Sequence, residues 1–576
     1  MKFSQMQYKR PEFAETNAKY KELLENFKAA KTADECFAAY KEINDFNVIV
    51  ESMFTIAYIR KTLDTRDEFY AAEIEYIDEV EPELEEVLQE IVKALLESPF
   101  REDMEAKWGK LMFTNLEIDL KTFSPEIIED LQEENRLCSE YSDLMASAMI
   151  EFDGKQLNLS EIDAYFQNTN SEVRKVAATL YSNWFMERNE QFDNLFDALV
   201  KVRTHIAKKL GYKSFTELGY YRMQRNCYDE NTIAQFRERI LEHFVPVVTR
   251  LKSMQADRIG TESISIIDND FCYSDGNPTP KGTPDEIFEH GKQMYKELSK
   301  ETSEFFNFML ENELFDVLSR PGKEVGGYQS MISMHKAPFI FANFNGTSGD
   351  IDVLTHEAGH AYAAYVARDI YPVELQFGQE DIGEIHSMSM EFFAWPWMEG
   401  FFGEDTEKYY HSHLSTSVTF LPYGVMVDDF QHQIYANPNM TAKERNDLWL
   451  SLEAKYRPWL DMAGIPFWAE GRRWQAQTHI YCDPFYYIDY CLAGVIALDF
   501  WTINEYDTVE AWSLYNKLVH NAATKTFVDV IEDSYLSSPF DTDNLRRIAR
   551  EVYGWLFEWE DPKDPKRPLP RRLMMR

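Results

Sequence analysis

Two histidines, His356 and His360, stand four residues apart in the run VLTHEAGHAYAAYVA, with Glu357 directly after the first. On a helix, residues i and i+4 share a face one turn apart, so both imidazoles can address a single point. A first-row metal ion needs that geometry. Glu357 is turned roughly 100° from His356 and about 60° from His360. It can flank a metal without binding it, where a base acting on an attacking water belongs. The bland reading of HExxH is a chance pair of packed or surface histidines; the helical flanks and the internal carboxylate favour the metal.

A catalytic zinc takes three protein ligands and keeps a fourth position open. Downstream acidic candidates are Glu374, Glu380, Glu384 and Glu391. Glu384 opens EIHSMSMEFF, where Glu384, Ser387, Met388 and Glu391 fall on one helical face. The first can ligate metal while the last supports a ligand histidine from behind. Glu380 precedes Gly383 in GQEDIGE, which reads as a loop. Helix placement favours Glu384, and spacing alone also admits Glu380. His386 is turned away and reads as ordinary packing or surface. Zn²⁺, one ion per chain, is the default for two histidines and a carboxylate, with Co²⁺ or Mn²⁺ as substitutes.

These groups need a scaffold. From Pro11 to about Leu210 the apolar period is near 3.6, so helices are expected throughout, with Pro82 starting or kinking one and a weak β signal near QLNLSEIDAYF. Proline and glycine cluster between Ile267 and Gly282 and again at 321–327. A short β-rich patch, 328–347, follows and suits a small sheet beside the HEAGH helix. Ser348 or Asp350 is expected to cap that helix. Gly359 inside it costs about 1 kcal/mol relative to alanine, which points to a neighbouring backbone or helix packed against it. Helices resume beyond Arg368 and run to about Trp559. The Pro-rich basic end reads as a surface tail.

The 576-residue chain exceeds what one core needs, and its 44% hydrophobic and 15% aromatic content excludes a disordered chain. A net charge of −40 argues against nucleic acid and anionic lipid as partners. The six cysteines form no CxxC pair and read as buried thiols in a reducing compartment. The N-terminus lacks the apolar core of a signal peptide, and no apolar run is long enough to span a membrane. A soluble, cytoplasmic protein is expected.

HEAGH, followed by Glu384 in an E-x-x-S-x-x-x-E helix, resembles the M3 family of zinc metallopeptidases, the thimet oligopeptidase and oligoendopeptidase F group, and most of all its oligoendopeptidase F type. The likeness covers most of the chain and is strongest from Gly326 to Trp501. It implies a mainly α, two-lobed ellipsoid with a small β-sheet beside the zinc helix and a deep central channel. An N-terminal helical lobe (1–170) and a catalytic region (171–576) are expected. It also implies that the segment THIYCDPFYYIDYCLAGVIALDFW supplies oxyanion donors, which by matching HxxxxPFYxxxY are His479, Tyr486 and Tyr490. Tyr487 replaces Tyr486 if the helix phase differs, and Asp483 with Pro484 would start that helix. Donors fixed in a dry site are each worth about 2.7–4 kcal/mol to an oxyanion. Without HEAGH, an aromatic core stripe would be the better reading.

The implied function is a zinc endopeptidase of short peptides. Its metal ligands would be His356, His360 and Glu384, and its base Glu357. In HKAPFIFANFNGT the family likeness implies an edge strand that pairs with substrate; a structural hairpin is the alternative. Two rivals stand beside the endopeptidase. A zinc carboxypeptidase would need a cation for the terminal carboxylate, for which Arg472 and Arg473 are the visible choices. A non-catalytic peptide-binding scaffold would have lost Glu357 or a ligand, and none is lost. His335 reads as a neutral packed histidine. His411 and His413, two apart, suit no shared helical face and receive no role.

Overall fold

The computed structural model describes residues 1–376 and 378–558; the Pro-rich tail lies outside them. Helices carry most of the described chain. Two long ones near the start, α1 (Ala33–Leu63) and α2 (Glu68–Leu96), are capped by Thr32 and Asp67, whose side chains accept the free N–H groups of the first turn. Pro82 falls inside α2, not at its start. Their apolar faces share a cluster of their own, including Tyr40, Ile43, Val87 and Trp108, apart from the larger core around the HEAGH helix. Asn44 Nδ2 donates to Glu374 at 2.9 Å, and Tyr40 Oη donates to the other oxygen. That carboxylate, a candidate ligand by sequence, instead ties the N-terminal helices to the chain beyond HEAGH.

The weak β signal resolves into a hairpin, Ile150–Phe152 with Lys155–Leu157, turned by Asp153 and Gly154 at positive φ. A second sheet has three strands, β1 (Phe315–Leu318), β2 (Tyr328–Ile332) and β3 (Ala337–Phe344), in the order β1–β3–β2. β2 and β3 come from the expected patch and pair antiparallel, Tyr328 with Phe341 and Ile332 with Ala337. β1 was not expected; it runs parallel to β3, Phe315 beside Ile340. β3, which holds most of HKAPFIFANFNGT, pairs on both sides and so is not the expected edge strand; the edge beside it is β2, with β3 on one side only.

The HEAGH helix, α3 (Gly349–Ala367), lies against this sheet. Neither expected cap acts as one. Ser348 holds the N-cap position without a side-chain bond, while Asp350 turns back to accept N–H from Asn345 (2.8 Å) and Gly346 (2.9 Å), fixing the strand-to-helix loop. Next come α4 (Glu380–Phe393), α5 (Thr406–Ala436) and α6 (Tyr487–Tyr506); α4 packs on both α3 and α6. Glu380 is therefore in the first turn of α4, not in a loop. Gly359 explains the closeness of α3 and α4: a Cβ there would sit 2.5 Å from the carbonyl oxygen of His386 and 2.6 Å from Cα of Ser387. A neighbouring helix does press on that glycine.

α6 starts at Tyr487, three residues later than Asp483 and Pro484 predict. Phe485, at φ 71°, breaks the path. It is held there by Gln431 Oε1, which accepts its N–H (3.1 Å), and by Arg225 Nη2, which donates to its carbonyl (2.5 Å). The turn swings the Tyr486 ring towards α4. Among the described residues all six cysteines are free, but only Cys36 and Cys491 are buried, so the expectation of uniformly buried thiols is corrected. No described helix is long and apolar enough to cross a membrane.

Candidate metal and catalytic site

One turn of α3 brings His356 and His360 to the same side, and α4 supplies Glu384 opposite. Oε2 of Glu384 lies 3.3 Å from Nε2 of each histidine, and the three donor atoms all lie within 4.8 Å of one another. The imidazoles keep 20% and 19% of their side-chain surface open while Glu384 keeps 2%, so the group faces a solvent-accessible side with the carboxylate as its floor. Ser387 Oγ donates to Glu384 Oε2 at 2.9 Å and Tyr486 Oη donates to Oε1, which fixes the carboxylate in rotation. Glu380, Glu374 and Glu391 are not in the donor group.

Glu391 lies behind it, as the helical face predicts. Its Oε1 accepts Nδ1–H of His356 at 2.7 Å, leaving Nε2 as the free donor nitrogen. Its Oε2 lies 2.8 Å from Nε2 of His413 on α5. Trp395 Nε1–H, which can only donate, points at His413 Nδ1 at 3.2 Å. His413 must then carry its proton on Nε2 and give it to Glu391.

The electrostatics favour a cation at this group. Burial opposes charge on His356, yet Glu384 and Glu391 hold its pKa well above the ordinary value. Burial likewise opposes charge on Glu384, and His360 and His356 pull it well below the carboxylate range. Buried carboxylates facing imidazole nitrogens gather positive charge, and the donor set is that of a zinc site. Beside it, Glu357 is buried and its Oε2 has no hydrogen-bond partner. Burial raises its pKa against the pull of His356 and His360. Gly327, before β2, comes so near that a Cβ would lie 3.4 Å from Glu357 Oε1.

Across from α3, His479 Nε2 lies 3.2 Å from Tyr490 Oη. The His479 ring stacks on Tyr486 at 5.7 Å. Tyr487 turns to the Phe420 and Tyr423 rings, so Tyr486 faces the donor group and Tyr487 does not. A cavity of about 750 Å³ adjoins these groups, lined in part by Gly326, Gly327, Asp352, Val353, Tyr423 and His479.

The same chain organisation is found in proteins of known class. Residues 3–123 match the peptidase M3 N-terminal domain and residues 289–522 match peptidase family M3. The structure of PZ peptidase A with inhibitor 2 is 46% identical, covers 97% of this chain and 100% of its own, and superposes with a TM-score of 0.96. The chain belongs to peptidase family M3. A candidate oligoendopeptidase F from Bacillus anthracis str. Ames is 44% identical, with coverage of 97% and 99% and a TM-score of 0.92. Another candidate oligoendopeptidase F gives 44%, 97%, 99% and 0.96. No curated protein matches the sequence. This M3 peptidase is accordingly a mainly α metalloendopeptidase of the oligoendopeptidase F type.

Sequence reasoning missed two residues that stand behind the candidate site. His413 was given no role because its spacing from His411 suits no shared face; its real partner, Glu391, is on another helix. Trp395 carried no signal beyond being one of 12 tryptophans. Arg472, one choice for a carboxypeptidase anchor, is committed to Glu470 (3.1 Å) and Asp193 (3.4 Å).

Proposed function

We propose that this M3 peptidase is zinc-dependent and cuts short oligopeptides internally, in a channel that includes the cavity beside α3. His356, His360 and Glu384 would hold the ion. The observation that carries this reading is their convergence within 4.8 Å next to Glu357, a buried carboxylate with an unpartnered oxygen. Bound there, zinc would supply Lewis acidity to the water and to the peptide carbonyl.

The chain's own groups account for the rest. Glu357 takes a proton from the water as its oxygen attacks the scissile carbonyl carbon, then gives that proton to the amine nitrogen as the C–N bond breaks. Burial suits Glu357 to both halves, since it stabilises the protonated form in between. Tyr490, held by His479, donates to the oxygen that becomes negative; Tyr486, whose single hydroxyl proton goes to Glu384, would add a second donor only on turning from that carboxylate. Burial lowers the His479 pKa, which keeps that ring a neutral donor. The edge of β2 that has no sheet partner, next to Gly327, offers backbone hydrogen bonds to an extended peptide of any sequence. A narrow site of this kind admits flexible peptides and excludes folded proteins, a role in cytoplasmic peptide turnover. Nucleic acid and membranes play no part in it.

The test is a peptide blocked at both ends, incubated with enzyme whose metal content is measured on the same sample. Internal cleavage with zinc present supports the proposal. Failure to cut the blocked peptide while trimming the free one would replace it with the carboxypeptidase reading.

A further inference from the structure

His479 is held from both sides. Its Nε2 faces Tyr490 Oη at 3.2 Å, and its Nδ1 faces the side-chain amide nitrogen of Gln477 at 3.1 Å. Gln477 is buried, and its Oε1 accepts the hydroxyl proton of Tyr423 on α5 at 2.8 Å. Tyr423 is itself fixed: the guanidinium carbons of Arg457 and Arg473 lie 4.9 and 5.7 Å from its ring centre, and Trp449 meets the ring edge-on. The links form one line from α5 to the catalytic cavity.

The chemistry of each link sets its direction. A neutral imidazole has one N–H and one bare nitrogen, and the partner of one decides the state of the other. An amide N–H can only donate, so Gln477 requires a bare Nδ1 and leaves the proton on Nε2. His479 then donates to the Tyr490 oxygen, and the Tyr490 hydroxyl proton is released to point elsewhere. Every donor in the series Tyr423, Gln477, His479, Tyr490 aims the same way, and successive hydrogen bonds polarise one another. Were Gln477 an acceptor instead, Nδ1 would hold the proton and Tyr490 would spend its own on Nε2.

We propose that Gln477, oriented by Tyr423, is a positioning residue that selects the Nε2–H tautomer of His479 and so frees the Tyr490 hydroxyl for the substrate oxyanion. This rests on the reading of Tyr490, held by His479, as an oxyanion donor. Gln477 touches no reacting atom; it acts through the imidazole. Its effect belongs to the transition state, so it should appear in kcat and not in KM.

The test uses full-length, zinc-loaded enzyme labelled with ¹⁵N-histidine, the His479 signal being identified by its loss in His479→Phe. Wild-type enzyme should show a bare Nδ1 and a protonated Nε2. Gln477→Glu, isosteric but unable to donate, should move a proton onto Nδ1 and lower kcat by about 10-fold or more, with KM within about twofold. That loss stays below the 10²–10³ of removing an oxyanion donor outright. Tyr423→Phe, which releases the amide while keeping the ring, should give a smaller loss of the same kind. A wild-type ring protonated on Nδ1 would overturn the inference, as would full kcat in both variants while His479→Phe is impaired. Full kcat in His479→Phe would instead overturn the underlying reading of His479.

Discussion

His356 gives its Nδ1 proton to Glu391 at 2.7 Å, so the carboxylate that orients the first histidine of HEAGH comes from the helix that also carries Glu384. Ligand and support sit seven residues apart on one face of α4. Any shift of α4 along α3 would therefore misplace both at once.

His413 completes that support, and its contribution can be measured without assaying catalysis. Partners behind a metal ligand typically account for 10- to 100-fold in metal affinity. His413→Ala should weaken zinc binding by about 10-fold or more in competition with a chelator. Unchanged affinity would show that Glu391 needs no second donor.

Gly359 sets the distance between α3 and α4. Alanine ordinarily stabilises a helix by about 1 kcal/mol over glycine. Here its Cβ would meet backbone at 2.5 Å, so Gly359→Ala should lose about 1–3 kcal/mol of stability and also bind zinc less tightly. Denaturation that showed a more stable variant with full zinc would contradict the close contact.

Glu384 and Glu380 separate by metal analysis. Glu384→Ala should leave the purified enzyme deficient in zinc, whereas Glu380→Ala should retain a full complement. Glu380 is exposed in the first turn of α4 and lies outside the donor group, so its loss is tolerated. Retained zinc in the first and lost zinc in the second would reverse the assignment.

The turn that carries His479 is anchored by an ion triad built on the buried Glu134 and Arg203. Arg203 gives Nε–H to Glu134 (2.6 Å) and Nη2–H to the carbonyl of Tyr481 (2.5 Å), while Arg222 reaches the other Glu134 oxygen at 2.9 Å. Burial alone would raise the Glu134 pKa, but Arg222 and Arg203 bring it down to about 2. A carboxylate depressed in the folded state adds stability above its unfolded value and loses it as pH falls towards the folded one. Glu134→Gln should therefore cost about 3–5 kcal/mol at pH 7, since it leaves the buried Arg203 cation short of a partner. The gap from wild type should hold down to about pH 4.5 and then narrow. A gap independent of pH in urea titrations would show that the Glu134 charge is not responsible.

The legibility of this molecule follows from where each signal lies. His356 with His360, and Glu384 with Glu391, were readable because helical spacing puts each pair on one stripe, although spacing alone also admitted Glu380. Gly359 was readable for a related reason, since a glycine there is unfavourable unless something presses on it. The late start of α6 was not, because Phe485 takes a left-handed conformation only with Gln431 and Arg225 to hold it, and both are distant in sequence. β1 escaped because four residues carry too little alternation to mark a strand. His413 and Trp395 meet Glu391 and each other through contacts between separate segments, and residue spacing holds no record of those.

Glu357→Gln tests the central claim most directly, with zinc content and turnover of a doubly blocked peptide measured on one preparation. Zinc is expected at one ion per chain and kcat lower by about 10²–10⁴-fold, the usual share of a general base. Substantial turnover with zinc in place would contradict it.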